Sequence, residues 1–73
     1  MVFQYLSELL TGAYACAGPI EMADRLDDLN LAPYEREELA GLLTDRFGVE
    51  LSVEEVAAFE TVEDMVAGVE DRL

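Results

Sequence analysis

Residues 27–51, Asp-Asp-Leu-Asn-Leu-Ala-Pro-Tyr-Glu-Arg-Glu-Glu-Leu-Ala-Gly-Leu-Leu-Thr-Asp-Arg-Phe-Gly-Val-Glu-Leu, decide how this chain folds. They form a loop, a proline-started amphipathic helix, and a glycine stop followed by two apolar anchors. Pro33 holds its own φ near the helical value and lacks an N–H that the first turn would leave unpaired anyway. It also pushes Ala32 out of the helical region, so the spacing predicts a helix that begins at Pro33. Leu39, Leu42, Leu43 and Phe47 recur at the three- and four-residue intervals of one helical face. Glu35, Arg36, Glu37, Glu38, Thr44 and Asp45 take the other side. Gly48 supplies a left-handed stop, and Val49 and Leu51 fold back as a hydrophobic tail.

The flanks add more helices. Val2/Phe3, Leu6, Leu9/Leu10 and Ala13 mark a helix from Val2 to about Ala15, with Gln4, Ser7, Glu8 and Thr11 opposite. Tyr5 and Tyr14 straddle the boundary between the two faces. Gly12 weakens this helix by about 1 kcal/mol relative to alanine, and nothing in the sequence explains it. Gly18-Pro19 is the first break. From Pro19 two readings are open: a short helix through Ile20, Met22, Ala23 and Leu26, or an ordered loop with one turn. Ser52 and Glu55 fit a capping box for a short helix ending near Ala58 or Phe59. Thr61, followed by Glu63 and Asp64, starts a last helix with a stripe of Val62, Met65/Val66, Val69 and Leu73. Gly68, inside it, suggests a close helix approach.

No strand pattern competes, so the class is all-α: a small bundle of four helices, orthogonal or up-down, with a long first loop and a short third helix. Its expected core is Phe3, Leu6, Leu10, Leu26, Leu29, Leu39, Leu43, Phe47, Val49, Leu51, Val56, Phe59, Val62, Val66 and Val69. Seventy-three residues make one small domain, of a size at which a single core leaves only about 3–5 kcal/mol of stability. An apolar fraction of 52% is ample for that core.

Composition excludes several functions. Seventeen acidic residues against four arginines, with no histidine and no lysine, give a net charge of −13. Such a chain repels nucleic acid and anionic membranes and favours a partner with a basic patch. The single Cys16 permits no internal disulfide and no zinc cluster; it is read as a small buried hydrophobe. Asp24, Asp27, Asp28 and Asn30 lack the glycine and closing glutamate of a calcium loop and form a solvated acidic turn. No apolar run approaches the ~20 residues of a membrane span, and the expected location is the cytoplasm. Catalysis finds no footing either. Ser7 and Ser52 have no base to activate them, and the paired acids Glu37-Glu38 and Glu54-Glu55 point apart on their helices. The chain is not expected to be an enzyme, and no metal site is expected.

Residues Asp28 to Val66, about half the chain, resemble an acyl carrier protein without a gap. Asp28-Leu29 falls where that family has Asp-Leu in its loop. Glu38-Leu39 falls in its acidic second helix, Phe47 on its terminal aromatic, Leu51 on the apolar residue before the third helix, and Thr61-Val62 at the start of the fourth. The departure is the attachment motif: Asp-Ser-Leu, whose serine carries phosphopantetheine, falls on Ala32, Pro33 and Tyr34. The resemblance therefore implies the carrier bundle without its cargo arm, and no phosphopantetheine cofactor. It also favours the loop reading after Pro19, with Leu26 and Leu29 plugging the core.

For function, the resemblance implies a module that docks on enzymes of fatty-acid, polyketide or non-ribosomal peptide biosynthesis. Partner-binding candidates are Tyr34, Glu35, Glu38 and Asp45 on the second helix, with Glu54 and Glu55 on the third. Tyr34 either anchors a contact or covers the open end of the bundle. Two other readings stand beside it: non-covalent binding of an acyl or other apolar ligand between the helices, and an acidic regulator that blocks a basic protein surface.

Overall fold

A computed structural model describes all residues, Met1–Leu73. The order is α1 (Val2–Thr11), a 3-10 turn (Leu26–Leu29), α2 (Pro33–Phe47), α3 (Val53–Ala58) and α4 (Val62–Glu70). The class is all-α. β-type pairing is limited to an isolated bridge between Arg25 and Thr61.

Helix α2 begins at Pro33 and ends before Gly48, whose backbone is left-handed at φ 67°. Helix α3 starts at the Ser52–Glu55 capping box: the Glu55 N–H donates to Ser52 Oγ, and the Ser52 N–H donates to Glu55 Oε1. In α4 the same device joins Thr61 and Asp64. The long loop adds to it. The Val62 and Glu63 N–H groups, orphans of a first turn, donate to the carbonyls of Asp24 and Met22, each at 2.9 Å. Of the two readings after Pro19, the loop with one turn holds: the turn lies at Met22-Ala23, Arg25 bridges to Thr61 on the α3–α4 link, and helical geometry begins only at Leu26.

Twelve buried side chains from α1, α2, α4 and the loop form one contiguous core, centred on Leu6, Leu10, Leu26, Leu39, Leu43 and Met65. Five expected core members, Phe3, Leu29, Phe47, Leu51 and Phe59, are half-buried at its rim instead. Val2 and Met65, on the apolar stripes of their helices, and Ile20 and Ala40 are buried beyond the expected core set. The aromatic rings are too large to enter so small an interior whole. Tyr5 and Phe47 pack edge-on at 5.7 Å on the flank, with the Arg46 guanidinium over both rings.

Three local expectations fail. Helix α1 stops at Thr11, not near Ala15. The Thr11 hydroxyl turns back to the Ser7 carbonyl, and the Tyr14 and Cys16 N–H groups reach Leu9 and Leu10 in a wider turn. Ala13 is consequently exposed. Cys16 is half-buried, its thiol donating to the Leu29 carbonyl at 3.6 Å. Leu73, expected on the stripe of α4, lies beyond the helix end at 69% exposure. Gly68 does mark a close approach, made by an aromatic ring: an added Cβ would stand 2.7 Å from Phe59 Cζ.

Candidate functional site

The expected docking residues are spread along α2 and α3, and none of them lines the cleft between the two helices. At the head of α2 is Pro33, with Tyr34 in the next position, 68% exposed. The start of α2 carries no side-chain acceptor at Ala32, so Glu35 folds back and accepts the Ala32 N–H at 2.8 Å. Glu35 is half-buried in that role. Glu38 is exposed and accepts the Tyr14 hydroxyl, which donates to Oε1 at 2.6 Å. Asp45 and Glu54 stand exposed on α2 and α3. Glu55 belongs to the α3 capping box and pairs with Arg72. The six candidates thus divide. Tyr34, Asp45 and Glu54 project outward, Glu35 and Glu55 serve helix starts, and Glu38 is shared with Tyr14.

Electrostatics follow from these contacts. The Ser52 backbone N–H, Arg72 and the Ser52 hydroxyl hold the Glu55 carboxyl below the ordinary glutamate range. The Glu60 and Thr61 N–H groups do the same for Asp64. Burial first, then the Glu38 hydrogen bond and charge, push the Tyr14 phenol up to about 12. Burial, followed by the charge of Glu35, raises the Cys16 thiol.

Between α2 and α3 lies a cleft of about 270 Å³, lined by Pro33, Arg36, Glu37, Val53, Val56 and Ala57. A second hollow of about 160 Å³ adjoins it, reaching Ala40, Gly41, Thr44 and Leu51. Gly41 leaves that hollow open, since a Cβ there would meet nothing within 4 Å. Val53 stands at the rim, 67% exposed. Arg36 closes the inner wall. Its guanidinium donates to the Phe59 carbonyl, Nη1 lies 3.7 Å from Asp27, and Nε is buried without a partner. One side chain thereby ties α2 to the loop and to the α3–α4 link.

Sequence reasoning missed Glu37 and Val53 as members of the cleft, and Tyr14 as the partner of Glu38. Glu37 was assigned to the solvated side, yet it and Thr44 face α3. Val53 was hidden inside a capping motif that explained its neighbours. The Tyr14–Glu38 bond crosses 24 residues and has no local signature. The acidic loop residues have internal uses: Asp24 accepts the Glu21 N–H, and Asp27 lies beside Arg36. No group of three or more Cys, Asp or Glu side chains converges as a metal-ligand set. No helix is long and apolar enough to cross a membrane.

No family model and no curated protein matches this sequence. The crystal structure of an acyl carrier protein from Thermotoga maritima does match the fold, with a TM-score of 0.84 at 14% identity, over 99% of this chain and 91% of that one. The four helices, the long first loop and the short third helix are therefore those of the acyl-carrier-protein fold.

Proposed function

We propose that this chain is a serine-less carrier-like module that docks on carrier-dependent biosynthetic enzymes and carries no phosphopantetheine. The observation that supports it most is a carrier fold whose second helix begins with Pro33, where the resembling family places its attachment serine. Proline has no group that could bear a phosphodiester. What remains is a surface for contact along α2 and α3: exposed Tyr34, the apolar rim at Val53, and the carboxylates of Glu37, Glu38, Asp45 and Glu54. With a net charge of −13, such a surface attracts a basic patch, raises association rate and selects partners, and weakens as salt rises. The enzymes in question would be those of fatty-acid, polyketide or peptide assembly, working in the cytoplasm.

The test is capture of purified carrier-dependent enzymes, a ketosynthase and an acyltransferase among them, on the immobilised protein. Binding that falls with salt and is lost on Asp45→Lys and Glu54→Lys is the expected result. Absence of binding, or binding indifferent to both changes, would refute the reading.

The cleft between α2 and α3 favours one second reading, non-covalent binding of a short apolar chain. Its volume of about 270 Å³ and its Pro33, Val53, Val56 and Ala57 walls suit a few methylene groups. Ligand binding to the native state raises the thermal midpoint. A shift that grows with chain length across a series of fatty acids supports this reading, and a flat series eliminates it.

A further inference from the structure

The segment that follows α1 is thinly attached. Ala13, Ala15, Ala17, Gly18 and Pro19 are exposed, and only Tyr14 and Cys16 are half-buried against the core. Ala15, between those two, has left-handed backbone with φ 53°, in which the Cβ crowds the following carbonyl. An exposed and strained segment opens locally at low cost unless something pins it. Two long-range side-chain ties hold it: the Tyr14 hydroxyl donates to Glu38 on α2 at 2.6 Å, and the Cys16 thiol donates more weakly to the Leu29 carbonyl at 3.6 Å. Beneath the segment lies a hollow of about 350 Å³ that includes Cys16, Leu29 and Asn30.

Glu38 thus has two calls on it. It faces outward on α2 as part of the acidic surface, yet Tyr14 already occupies Oε1. A guanidinium that grips a carboxylate with both arms uses both oxygens, so it competes with the Tyr14 hydroxyl for the charge and acceptor capacity of Oε1. We propose that Tyr14 is an internal occupant of Glu38, a latch that a basic partner displaces when it takes this carboxylate, freeing the Gly12–Pro19 strap and uncovering Cys16. The partner's role rests on the docking function; the latch rests on the geometry alone. Linkage makes the coupling reciprocal, so a closed strap disfavours docking at Glu38 to the same degree that docking opens the strap.

The experiment is the rate of Cys16 alkylation by iodoacetamide at fixed pH, followed by intact mass. Cys16 is the sole thiol, so the count of adducts is unambiguous. Tyr14→Phe keeps the ring and removes the donor, and Glu38→Ala removes the acceptor. Each should raise the rate about fivefold, the order expected for losing one hydrogen bond of ordinary net strength, the Glu38 carboxylate being exposed to solvent. The double variant should react no faster than either single one, because both cut the same bond. Wild-type rates in the single variants, or effects that multiply, overturn the latch. Polyarginine then stands in for a basic partner. At saturation it should raise the wild-type rate by a larger factor than it raises that of Tyr14→Phe, since neutralising Glu35 speeds both and only the wild type has a latch to open. A wild-type factor no larger than that of Tyr14→Phe overturns the coupling. Failed enzyme capture beside fast-reacting variants would condemn the docking function and spare the latch.

Discussion

Helices α4 and α3 lie next to each other in the chain and are held in opposite ways. Of nine residues in α4, four are buried: Val62, Met65, Val66 and Val69. Of six in α3, only Val56 is buried, and Val53 is 67% exposed. Apolar burial holds α4, whereas α3 is held by polar ties at its ends. These are the Ser52–Glu55 box, the Arg72–Glu55 pair, and the Arg36 guanidinium on the Phe59 carbonyl. The cleft opens on the second kind of helix. Separating elements there costs polar contacts at the margin and little of the core.

If this contrast is right, damage to α4 is global and damage to α3 is local. Met65→Ala removes a side chain with 0% exposure and should cost about 3 kcal/mol, within the range for buried truncations. In a domain of this size that approaches the whole stability, so a urea titration should find the variant marginal, with its midpoint shifted close to zero denaturant. Gly68→Ala comes next. The new methyl meets the Phe59 ring, and overpacking of this kind costs about 1–3 kcal/mol. Phe59→Leu in the same chain should recover part of that loss, which a simple helix-propensity effect would not show.

Ser52→Ala should cost about 1 kcal/mol and act on α3 alone. Amide exchange at Val56 should quicken while exchange at Val66 and Val69 stays as it was. Equal quickening in both helices would erase the contrast. Acid probes the two caps together. The fold lowers the carboxyl pKa of Glu55 and of Asp64. Their stabilising effect is therefore fully present above the ordinary carboxyl range near pH 4, and it is lost as pH falls through their lower folded values. Helicity should decline in that acid window, and Asp64→Asn should flatten its α4 part. The smallest effect belongs to Val53→Ser. At an exposed position it should leave stability within about 0.5 kcal/mol, while any apolar ligand in the α2–α3 cleft should bind more weakly.

The same division explains what could be read from the sequence. Pro33, Gly48, Ser52 with Glu55, and Thr61 act within three or four residues of themselves, and each of them marks a helix end in the structure. The four-helix order followed from them. Features made by distant chain were not legible. The end of α1 is set by a turn in which Tyr14 and Cys16 reach back five and six residues, and the 3.6-residue period carried on past it to Ala13. Ile20 is buried only because the loop folds over the core. In the site, the acidic residues were recognisable, but their assignments were not. Whether a glutamate faces outward, as Glu54 does, or caps a helix that lacks its own acceptor, as Glu35 does at Ala32, depends on neighbours that composition does not reveal.

The central claim is a carrier fold without a cargo arm. Its most direct test is the intact mass of the protein after incubation with coenzyme A and a broad-specificity phosphopantetheinyl transferase, with a known carrier protein in the same tube. The account predicts that the known carrier gains a phosphopantetheine and this chain gains nothing. A gain of one phosphopantetheine on this chain would contradict it.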